Sequence, residues 1–385
     1  MRASLDTHQQ CHAGRVRHAV KSRAMTSGLE ERFQNLHEIV KAAREKLPQG
    51  PWDYLVGGTE TETTLRRNRQ AIDAIALRPR VLRNVATVDC TTTFLGHRLR
   101  LPVLTAPIGG LETFDEGGGA TVAKATGEFG VIQMLSSVCK PGLEATAKAA
   151  DNVRIFQLYV RGDDAFVDDH VHRAMDHGYT AFTITVDTAH YSRRERDIAT
   201  RYVKPWRQRA TGFEYQAGMT WDLIKRFKDP HSIPLGLKGI ATAEDAVLCV
   251  EHGVDLVYVS NHGGRQLDQG RGSIDVLPEV IQAVNGRARV IVDGGFVRGT
   301  DVVKAIALGA DLVGLGRLPC YGLAAAGAAG VVRVLELLEE EVKIAFALLG
   351  VDRLSGLNRS YLHTGAPVVT APHVASAFPL LGEGY

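Results

Sequence analysis

The chain has 385 residues, of which 45% are hydrophobic and 23% charged, and its formal net charge at pH 7 is +2. That length and apolar fraction suffice for a large buried core in one or two domains. The near-neutral balance argues against nucleic acid or an anionic membrane as a partner, so any bound anion has to be held by a local site.

The cysteine pattern does not indicate a disulfide framework or a metal site. The cysteines are spread along the chain without a CxxC pair, and they are Cys11, Cys90, Cys139, Cys249 and Cys320. An odd number at wide spacing disfavours both paired disulfides and zinc. We therefore expect a reducing compartment, the cytoplasm, and no metal ion.

Both ends of the chain differ in composition from the middle. Residues 1–28 are rich in Arg and His and lack the apolar core of a secretory signal. We interpret them as a disordered extension, with a transit-like leader as the alternative and Met25 as a possible true start. The tail over 364–385 mixes Gly, Pro and Ala without periodicity, which predicts irregular structure. No run of about 20 apolar residues stands out, so we expect no membrane segment.

After a helical lead-in over 29–100, eight short apolar runs alternate with longer stretches of helical periodicity. The runs cover 102–107, 130–136, 153–160, 181–187, 234–239, 256–261, 289–295 and 312–317. Continuous Val, Ile and Leu is typical of parallel strands buried on both faces, which need crossover helices between them. The pattern predicts an α/β chain whose residues 101–363 form a TIM (β/α)8 barrel with a short N-terminal helical lead-in.

One connection is much longer than the others. Residues 195–230, after the fourth predicted strand, mix charges with aromatic side chains such as Trp206 and Trp221. A loop that long in a compact barrel is typical of a lid over a site, and a solvated insertion is the alternative.

Polar residues end the predicted strands, and in a TIM barrel that edge carries the reactive groups. They are Ser136, Gln157, Tyr159, Thr185, Asp187, Lys238, Ser260, His262, Asp293, Gly294, Gly295, Gly316 and Arg317. A structural hydrogen bond is an alternative for any one of them. Together they predict a single site at this rim.

The last two predicted strands end in DGG and LGR. TIM barrels commonly bind phosphate in the loops that follow these two strands. The backbone N–H groups around Gly295 and Gly316 can approach an anion closely, and Arg317 can bind it through two donors. This end of the site is therefore predicted to hold a phosphorylated cofactor or substrate.

The run SNHGGRQLD places His262 and Arg265 three residues apart in a glycine-rich segment. An imidazole suits proton abstraction near neutral pH, and a guanidinium suits a carboxylate. Asp187, at a neighbouring strand end, is the predicted partner that stabilises the imidazolium. The alternative, a buried structural histidine, fits poorly with the glycines and the arginine beside it.

Several motifs resemble the FMN-dependent α-hydroxy-acid oxidase and dehydrogenase family, which includes glycolate oxidase, lactate oxidase and mandelate dehydrogenase. They span roughly 45–360 and are KLPQGPWDYLVGG, RNRQAIDAIALRPRVL, FQLYV, TVD followed by SRRERD, LKG, SNHGGRQLD and DGGFVRGTDVVKAIALGA. The resemblance implies FMN as the cofactor and a 2-hydroxy acid as the substrate. It also implies O2 or another electron acceptor, and a homo-oligomer, namely a tetramer.

The resemblance implies a role for each site residue. His262 would be the base, paired with Asp187, and Tyr159 would contact the substrate hydroxyl. The residues implied to hold the substrate carboxylate are Tyr54, Arg194 and Arg265. The residues implied to bind the cofactor are Pro107, Ile108, Gly109, Ser136, Gln157, Thr185, Lys238, Ser260, Asp293, Gly295, Gly316 and Arg317. Lys238 would stabilise negative charge on the reduced flavin.

Some positions depart from the family pattern. Val138 stands where the family often has Trp, and Ile108 with Gly109 follows Pro107 in place of a hydroxyl-bearing residue. These changes predict a wider substrate pocket. Val297 stands where the family generally has a phosphate-contacting Arg, with Arg298 next, which weakens the expected phosphate contact.

We therefore expect FMN-dependent oxidation of a 2-hydroxy carboxylate whose side chain is larger than that of glycolate. One alternative is a specialised flavin oxidase or monooxygenase acting on a larger biosynthetic carboxylate. The other is a catalytically silent flavin-binding protein, which would be expected to lose the polar site residues. The sequence keeps Tyr54, Tyr159, Asp187, His262 and Arg265.

Overall fold

The computed structural model describes residues 28–208, 210–366, 377, 378 and 381. The extension expected over 1–28, apart from its last residue, lies outside the described residues. So does most of the tail expected over 364–385.

Eight parallel strands form a closed barrel in which each strand pairs with the next in chain order and the last pairs with the first. They are β4 (Val103–Thr105), β5 (Ile132–Ser136), β6 (Arg154–Leu158), β7 (Ala181–Thr185), β8 (Leu235–Ile240), β9 (Leu256–Val259), β10 (Arg289–Val292) and β11 (Leu312–Leu315). Seven predicted runs contain one of these strands and the run 234–239 overlaps β8, so the predicted TIM barrel is confirmed. Most of the predicted runs extend past the strands into the rim, because apolar composition does not mark where a ladder of hydrogen bonds ends.

Helices on the outside connect the strands and bury their apolar sides against the barrel. They include α4 (Gly118–Phe129), α5 (Leu143–Ala149), α6 (Asp164–Asp176), α10 (Ala243–Glu251), α11 (Ser273–Val284), α12 (Gly299–Leu308) and α13 (Arg317–Leu349). Gly130 ends α4 and Gly309 ends α12, both with positive φ, as expected for glycine at a helix C-terminus. These stops return the chain to the start of the next strand.

The long helix α13 contains a kink, with non-helical backbone angles at Ala326 and Gly327. By length and composition it could cross a membrane, whereas the sequence pattern led us to expect no membrane segment. Within the protein, 72% of its most apolar window is buried. A core helix of a barrel has the same composition, so this helix is weak evidence for a membrane span.

The lead-in before the barrel is only partly helical. It contains α1 (Leu36–Lys46), α2 (Gln49–Val56), α3 (Thr63–Asp73), β1 (Ile75–Leu77), β2 (Thr92–Phe94) and β3 (His97–Leu99). Strand β1 pairs antiparallel with β12 (Leu362–Thr364), so the expected irregular tail begins with a paired strand. Strands β2 and β3 form a hairpin whose Phe94 and Leu99 pack into the apolar interior of the barrel. The hairpin therefore contributes to the core at the end opposite the rim.

The barrel interior is filled by side chains, and one aromatic residue sets a strict steric limit. Tyr258 on β9 is 1% exposed and extends toward Gly314 on β11. A Cβ atom at Gly314 would lie 1.9 Å from the Tyr258 hydroxyl oxygen, far inside van der Waals contact. Only glycine is therefore compatible with Tyr258 at this position.

The connection over 195–230 is an ordered structure in the described residues and not a long irregular loop. It contains α7 (Glu195–Ala199), a 3-10 turn (Pro205–Arg207), α8 (Phe213–Ala217) and α9 (Trp221–Lys228). Buried Lys204 forms an ion pair with Asp197, which ties the turn to α7. This segment covers the rim and is called the lid below.

Candidate active site

A cleft opens at the carboxyl ends of the barrel strands. Its walls include the strand ends, helix α2 with Tyr54, and the lid with Trp206 and Phe213. The carboxyl ends of the strands are where TIM barrels bind their ligands, so this cleft is the candidate site.

His262 lies between two partners at this cleft. Its Nδ1 is 3.0 Å from Oδ1 of Asp187 and 3.3 Å from the other carboxylate oxygen. Its Nε2 is 3.3 Å from the hydroxyl oxygen of Tyr159. The predicted pairing of His262 with Asp187 is thus present in the structure, and Tyr159 joins it from the end of β6.

The glycines around His262 explain how the imidazole reaches this position. His262, Gly263 and Gly264 all have positive φ, so the chain makes a left-handed turn after β9. A Cβ atom at Gly264 would lie 2.5 Å from the backbone of Leu65 on α3. The turn therefore needs glycine there. The backbone N–H of His262 donates to the Ser260 hydroxyl at 3.0 Å, which holds the start of the turn.

The charges on this pair follow from burial and from each other. Burial raises the pKa of Asp187, but the opposing effects of His262 and Lys238 outweigh it and leave the pKa below its usual value. Burial, with the charges of Lys238 and Arg194, lowers the pKa of His262 by more than Asp187 raises it. At neutral pH the pair is therefore an anionic carboxylate beside a neutral imidazole, which is the state a general base requires.

Two arginines and a tyrosine lie beside this pair. The guanidinium of Arg265 is 4.9 Å from the ring centroid of Tyr54 and donates to the Gly57 carbonyl at 2.7 Å. Burial, with repulsion from Arg194, lowers the pKa of Arg265 to about 10, so it keeps its charge at neutral pH. Arg194 lies over the ring of Tyr191 at 4.6 Å. Neither arginine has an acidic partner in the part of the chain that the structure describes.

Tyr54 reaches the cleft from the lead-in. Its hydroxyl donates to the carbonyl of Gly109, after β4, at 2.7 Å. Burial raises its pKa to about 12, so the hydroxyl stays protonated and remains a donor. The residues predicted to hold a carboxylate, Tyr54, Arg194 and Arg265, all line the same cleft as His262.

A buried polar chain lies below His262. Lys238 Nζ donates to the Ser260 hydroxyl at 2.9 Å and lies 3.3 Å from an oxygen of Asp293. The Ser260 hydroxyl in turn donates to Asp293 at 2.6 Å. Lys238 is 3% exposed, and these partners hold its ammonium group in position at the floor of the cleft.

Other predicted strand-end residues have polar atoms with no hydrogen-bond partner among the described residues. The amide nitrogen and oxygen of Gln157 and the hydroxyl of Thr185 are buried without such a partner. The Ser136 hydroxyl accepts only a 3.4 Å contact from the Val138 N–H. Unpaired buried polar groups are costly, and a ligand with donors and acceptors would satisfy them.

The predicted phosphate end has a different arrangement from the expected one. Gly295 and Gly316 line the cleft, but Arg317 donates through Nε and Nη2 to the carbonyls of Leu55, Gly57 and Gly263 at 2.9–3.1 Å. Phosphate binding by Arg317 stays a prediction, because Nη1 is the one guanidinium nitrogen that does not donate to these carbonyls.

Arg298 does not take the place of the arginine that the family generally has at the position of Val297. Val297 lines the cleft, whereas Arg298 forms an ion pair with Glu341 at 2.5 Å. Phe378, from the far end of the chain, also lines the cleft here, packed against His37 and Tyr321. Arg298 is therefore held by Glu341 and does not line the cleft where the phosphate contact was expected.

Several cleft residues were not anticipated from the sequence. They are Arg69, Phe114, Arg161, Thr188, Tyr191, Phe213, Gln266, Phe296, Tyr321, Ala377 and Phe378. Arg161, two residues after Tyr159, could have been found from the rim rule, because it follows the same strand. The residues from the lead-in and the tail reach the site by tertiary packing, for which the sequence carries no local signal.

The comparisons with known proteins agree with this geometry. The model of the FMN-dependent dehydrogenase family matches residues 43–364. The chain belongs to this family. It is 39% identical over 365 residues to glycolate oxidase 3 of Arabidopsis thaliana, covering 89% of this chain and 98% of that protein. It is 38% identical to L-lactate oxidase of a Nostoc species, covering 86% and 98%.

Solved structures of this family show the same fold. A mandelate oxidase crystallised with (S)-2-phenylpropionate has a TM-score of 0.81 and 37% identity to the chain, covering 88% of this chain and 100% of that one. The chain is therefore an FMN-dependent 2-hydroxy-acid oxidoreductase, as the resemblance implied.

The residues of this chain fit FMN. An isoalloxazine ring offers several hydrogen-bond donors and acceptors, which matches the unpaired amide of Gln157 and hydroxyl of Thr185. Lys238 places a fixed positive charge at the same floor. No cluster of three or more His, Cys, Asp or Glu that could hold a metal occurs in the described residues.

Proposed function

We propose that this flavoenzyme oxidises a 2-hydroxy carboxylate to the 2-oxo acid with His262 as the base that accepts the hydroxyl proton. The observation that carries the proposal is the pairing of a neutral His262 with an anionic Asp187 beside two arginines that lack acidic partners. When bound, FMN supplies the two-electron acceptor for the substrate.

The substrate carboxylate would lie between Arg265, Arg194 and the Tyr54 hydroxyl. A guanidinium binds a carboxylate through two parallel donors, which fixes the orientation of the acid. With the carboxylate held there, the neighbouring hydroxyl faces Nε2 of His262 and the hydroxyl of Tyr159. Tyr159 keeps its proton, because burial raises its pKa, and it can donate to the substrate oxygen.

Proton transfer to His262 creates an imidazolium next to Asp187. The carboxylate stabilises that charge, and its bond to Nδ1 keeps Nε2 pointed at the substrate. Lys238 stabilises negative charge that develops on the cofactor side of the reaction, because its ammonium is fixed by Ser260 and Asp293. Protein side chains thus supply orientation, a base and fixed charges.

We further propose that the side chain of the substrate is larger than that of glycolate. Val138 in place of the family's frequent Trp supports this, but the space over Gly109 is smaller than the sequence suggested. A Cβ atom at Gly109 would lie 2.7 Å from Val138 and 3.4 Å from the indole nitrogen of Trp206. Trp206 therefore occupies part of the space that a strand tryptophan would fill. Trp221 instead packs on His252, with ring centroids 5.0 Å apart, and does not line the cleft.

The remaining alternatives differ in the fate of the electrons. A silent flavin-binding protein would have no need of the His262, Asp187 and Tyr159 arrangement, which argues against that alternative. Whether O2 or another acceptor reoxidises the enzyme, and whether oxygen is inserted into the product, separates an oxidase from a dehydrogenase and a monooxygenase. The tetramer and the cytoplasmic location stay predictions.

The test is anaerobic mixing of the FMN-loaded protein with glycolate, lactate, mandelate and a long-chain 2-hydroxy acid. We expect loss of the visible flavin absorbance with at least one acid, and fastest with the larger ones. Admitting O2 and measuring hydrogen peroxide and the carbon products then identifies the acceptor chemistry. If no acid reduces the flavin, the proposed oxidation is wrong.

A further inference from the structure

We propose that the substrate carries a second acidic group at the end of its side chain and that Arg161 binds this group. The inference rests on the proposed oxidation of a 2-hydroxy acid and adds a property of the substrate side chain. It comes from the charges that line the cleft and from the position of Arg161 in the barrel.

The cleft is strongly cationic. The Arg and Lys side chains that line it in the described residues are Arg69, Arg161, Arg194, Lys238, Arg265 and Arg317, and the acidic side chain that lines it is Asp293. A cation in such a site needs an acidic partner, a set of carbonyl acceptors or a ligand anion, because desolvation without compensation is costly.

Three of these cations are neutralised or satisfied by the protein. Arg69 binds both carboxylate oxygens of Asp301 at 2.8 and 2.9 Å. Lys238 lies beside Asp293, and Arg317 donates to three backbone carbonyls. Arg161, Arg194 and Arg265 have no acidic partner among the described residues.

The substrate carboxylate accounts for two of the remaining three. Burial and the charge of nearby Arg194 lower the pKa of Arg265. One carboxylate between them relieves this repulsion. Arg161 is left without an anion.

The barrel topology separates Arg161 from the phosphate end. Arg161 follows β6, whereas Gly295 follows β10. These strands are four positions apart in a closed barrel of eight, so they lie on opposite sides. An anion bound by Arg161 is therefore not the cofactor phosphate.

Arg161 is placed instead on the side of the cleft that faces the lid. It lies two residues after Tyr159, and its guanidinium carbon is 4.1 Å from the ring centroid of Phe213 in the lid. The ring holds the guanidinium in place through a cation–π contact but supplies no counter-charge. Arg161 is partly buried, which lowers its pKa, and the charge of exposed Glu214 raises it, but no ion pair joins the two side chains in the described structure.

The chemical class that fits is a 2-hydroxy acid with a carboxylate at the far end of a short chain. The first carboxylate is held next to His262, and the second reaches Arg161 under the lid. A substrate with an uncharged side chain would leave the partly buried Arg161 without an ion-pair partner at the cleft. The charge pattern thus favours a hydroxy diacid over an uncharged acid of similar length.

The test compares a diacid with an uncharged analogue on the FMN-loaded enzyme. The probes are 2-hydroxyglutarate and 2-hydroxyhexanoate, which differ mainly in the terminal group. Wild type is expected to have the higher kcat/KM for 2-hydroxyglutarate. In R161Q the ratio of the two kcat/KM values should fall by about tenfold or more, the scale of a lost hydrogen-bonded charge contact, chiefly through KM for the diacid.

Two further variants separate charge from packing. R161M keeps an apolar chain against Phe213, and it should lower the ratio as R161Q does, even if R161Q folds poorly. R207Q is the matched control, because Arg207 is an exposed lid arginine stacked on Tyr191 at 3.7 Å and does not line the cleft. R207Q should keep the wild-type ratio.

The outcomes distinguish this inference from the proposed function. If wild type prefers 2-hydroxyhexanoate, or if R161Q and R161M keep the wild-type ratio, the second acidic group is wrong while the oxidation stands. If the ratio falls equally in R207Q, the overall charge of the lid determines the preference for the diacid. That result also overturns the inference, because it assigns no specific role to Arg161. If neither probe nor any acid of the wider panel reduces the flavin, the proposed function itself fails.

Discussion

His262 contacts Asp187 and Tyr159 through opposite nitrogens of its ring, with Nδ1 3.0 Å from a carboxylate oxygen and Nε2 3.3 Å from the hydroxyl oxygen. The carboxylate cannot donate when ionised, so it selects the tautomer with the proton on Nδ1. Nε2 then carries the free lone pair and faces the cleft. The base is thus oriented before the substrate binds.

Replacing His262 by Ala should lower kcat strongly and leave FMN bound. General-base catalysis contributes roughly 10²–10⁴, and the variant also leaves Asp187 without its partner. The measurement is flavin reduction by saturating substrate in stopped flow, with the visible spectrum as the check on cofactor content. D187N should also be slow, because the amide no longer stabilises the imidazolium. Wild-type reduction rates in H262A would exclude His262 as the base.

The pH profile should reflect a base with a low pKa. Burial, with the charges of Lys238 and Arg194, lowers the pKa of His262 from its ordinary 6.5 by more than Asp187 raises it. A protonated imidazole cannot accept a proton, so kcat/KM should fall as pH drops through this pKa and be level near neutral pH. We expect the acid-side midpoint below 6.5 in wild type, and lower still in D187N, since the raising effect of Asp187 is lost. A midpoint above 6.5 would contradict the neutral state of His262.

Replacing Arg265 by Lys should weaken substrate capture. A lysine keeps the positive charge but cannot present two parallel donors to a carboxylate, and it also loses the stacking on Tyr54. The expected result is a rise in KM of about tenfold, comparable to the loss of one charged hydrogen bond. Steady-state kinetics with the best acid of the panel measures it. An unchanged KM would place the carboxylate elsewhere.

The substrate size limit should depend on Trp206 as much as on Val138. Both side chains lie against Gly109, so W206A opens space there and V138W fills it. Apolar surface that a substrate buries in this space contributes about 25 cal/mol per Å² to its binding free energy. We expect W206A to raise the preference for mandelate over glycolate and V138W to lower it. W221A is the control, because Trp221 packs on His252 outside the cleft. Equal preferences in W206A and W221A would mean that the indole of Trp206 does not limit the substrate.

The ion pair between Arg69 and Asp301 should contribute strongly to stability. Asp301 is 1% exposed, and it also accepts from the backbone N–H groups of Val297 and Arg298 at the start of α12. D301N would remove one of the two carboxylates paired with buried Arg69, while Asp73 stays at 2.6 Å, so the expected loss is at most the about 3–5 kcal/mol of a fully broken buried pair. Urea unfolding of the FMN-loaded protein measures it. D352N, in an exposed pair with Arg353, should show no comparable loss.

The fold and the centre of the site could be predicted because their signals are local. Continuous apolar runs mark strands, and the residue at each strand end lies at the rim, so His262, Asp187 and Lys238 could be placed together. Trp206 could not be placed, because its position over Gly109 depends on how the lid packs. The donors of Arg317 could not be assigned either, since their acceptors at Leu55 and Gly57 are about 260 residues away.

The carbonyl oxygen of Gly57 accepts from Arg265 at 2.7 Å and from Arg317 at 2.9 Å. Two arginines that follow different barrel strands thus converge on one backbone atom of the lead-in, one turn after Tyr54. The segment before the barrel is therefore not an interchangeable module. In chimaeras that join the lead-in of one relative to the barrel of another, we expect the position of this carbonyl to affect where Arg265 and Arg317 lie.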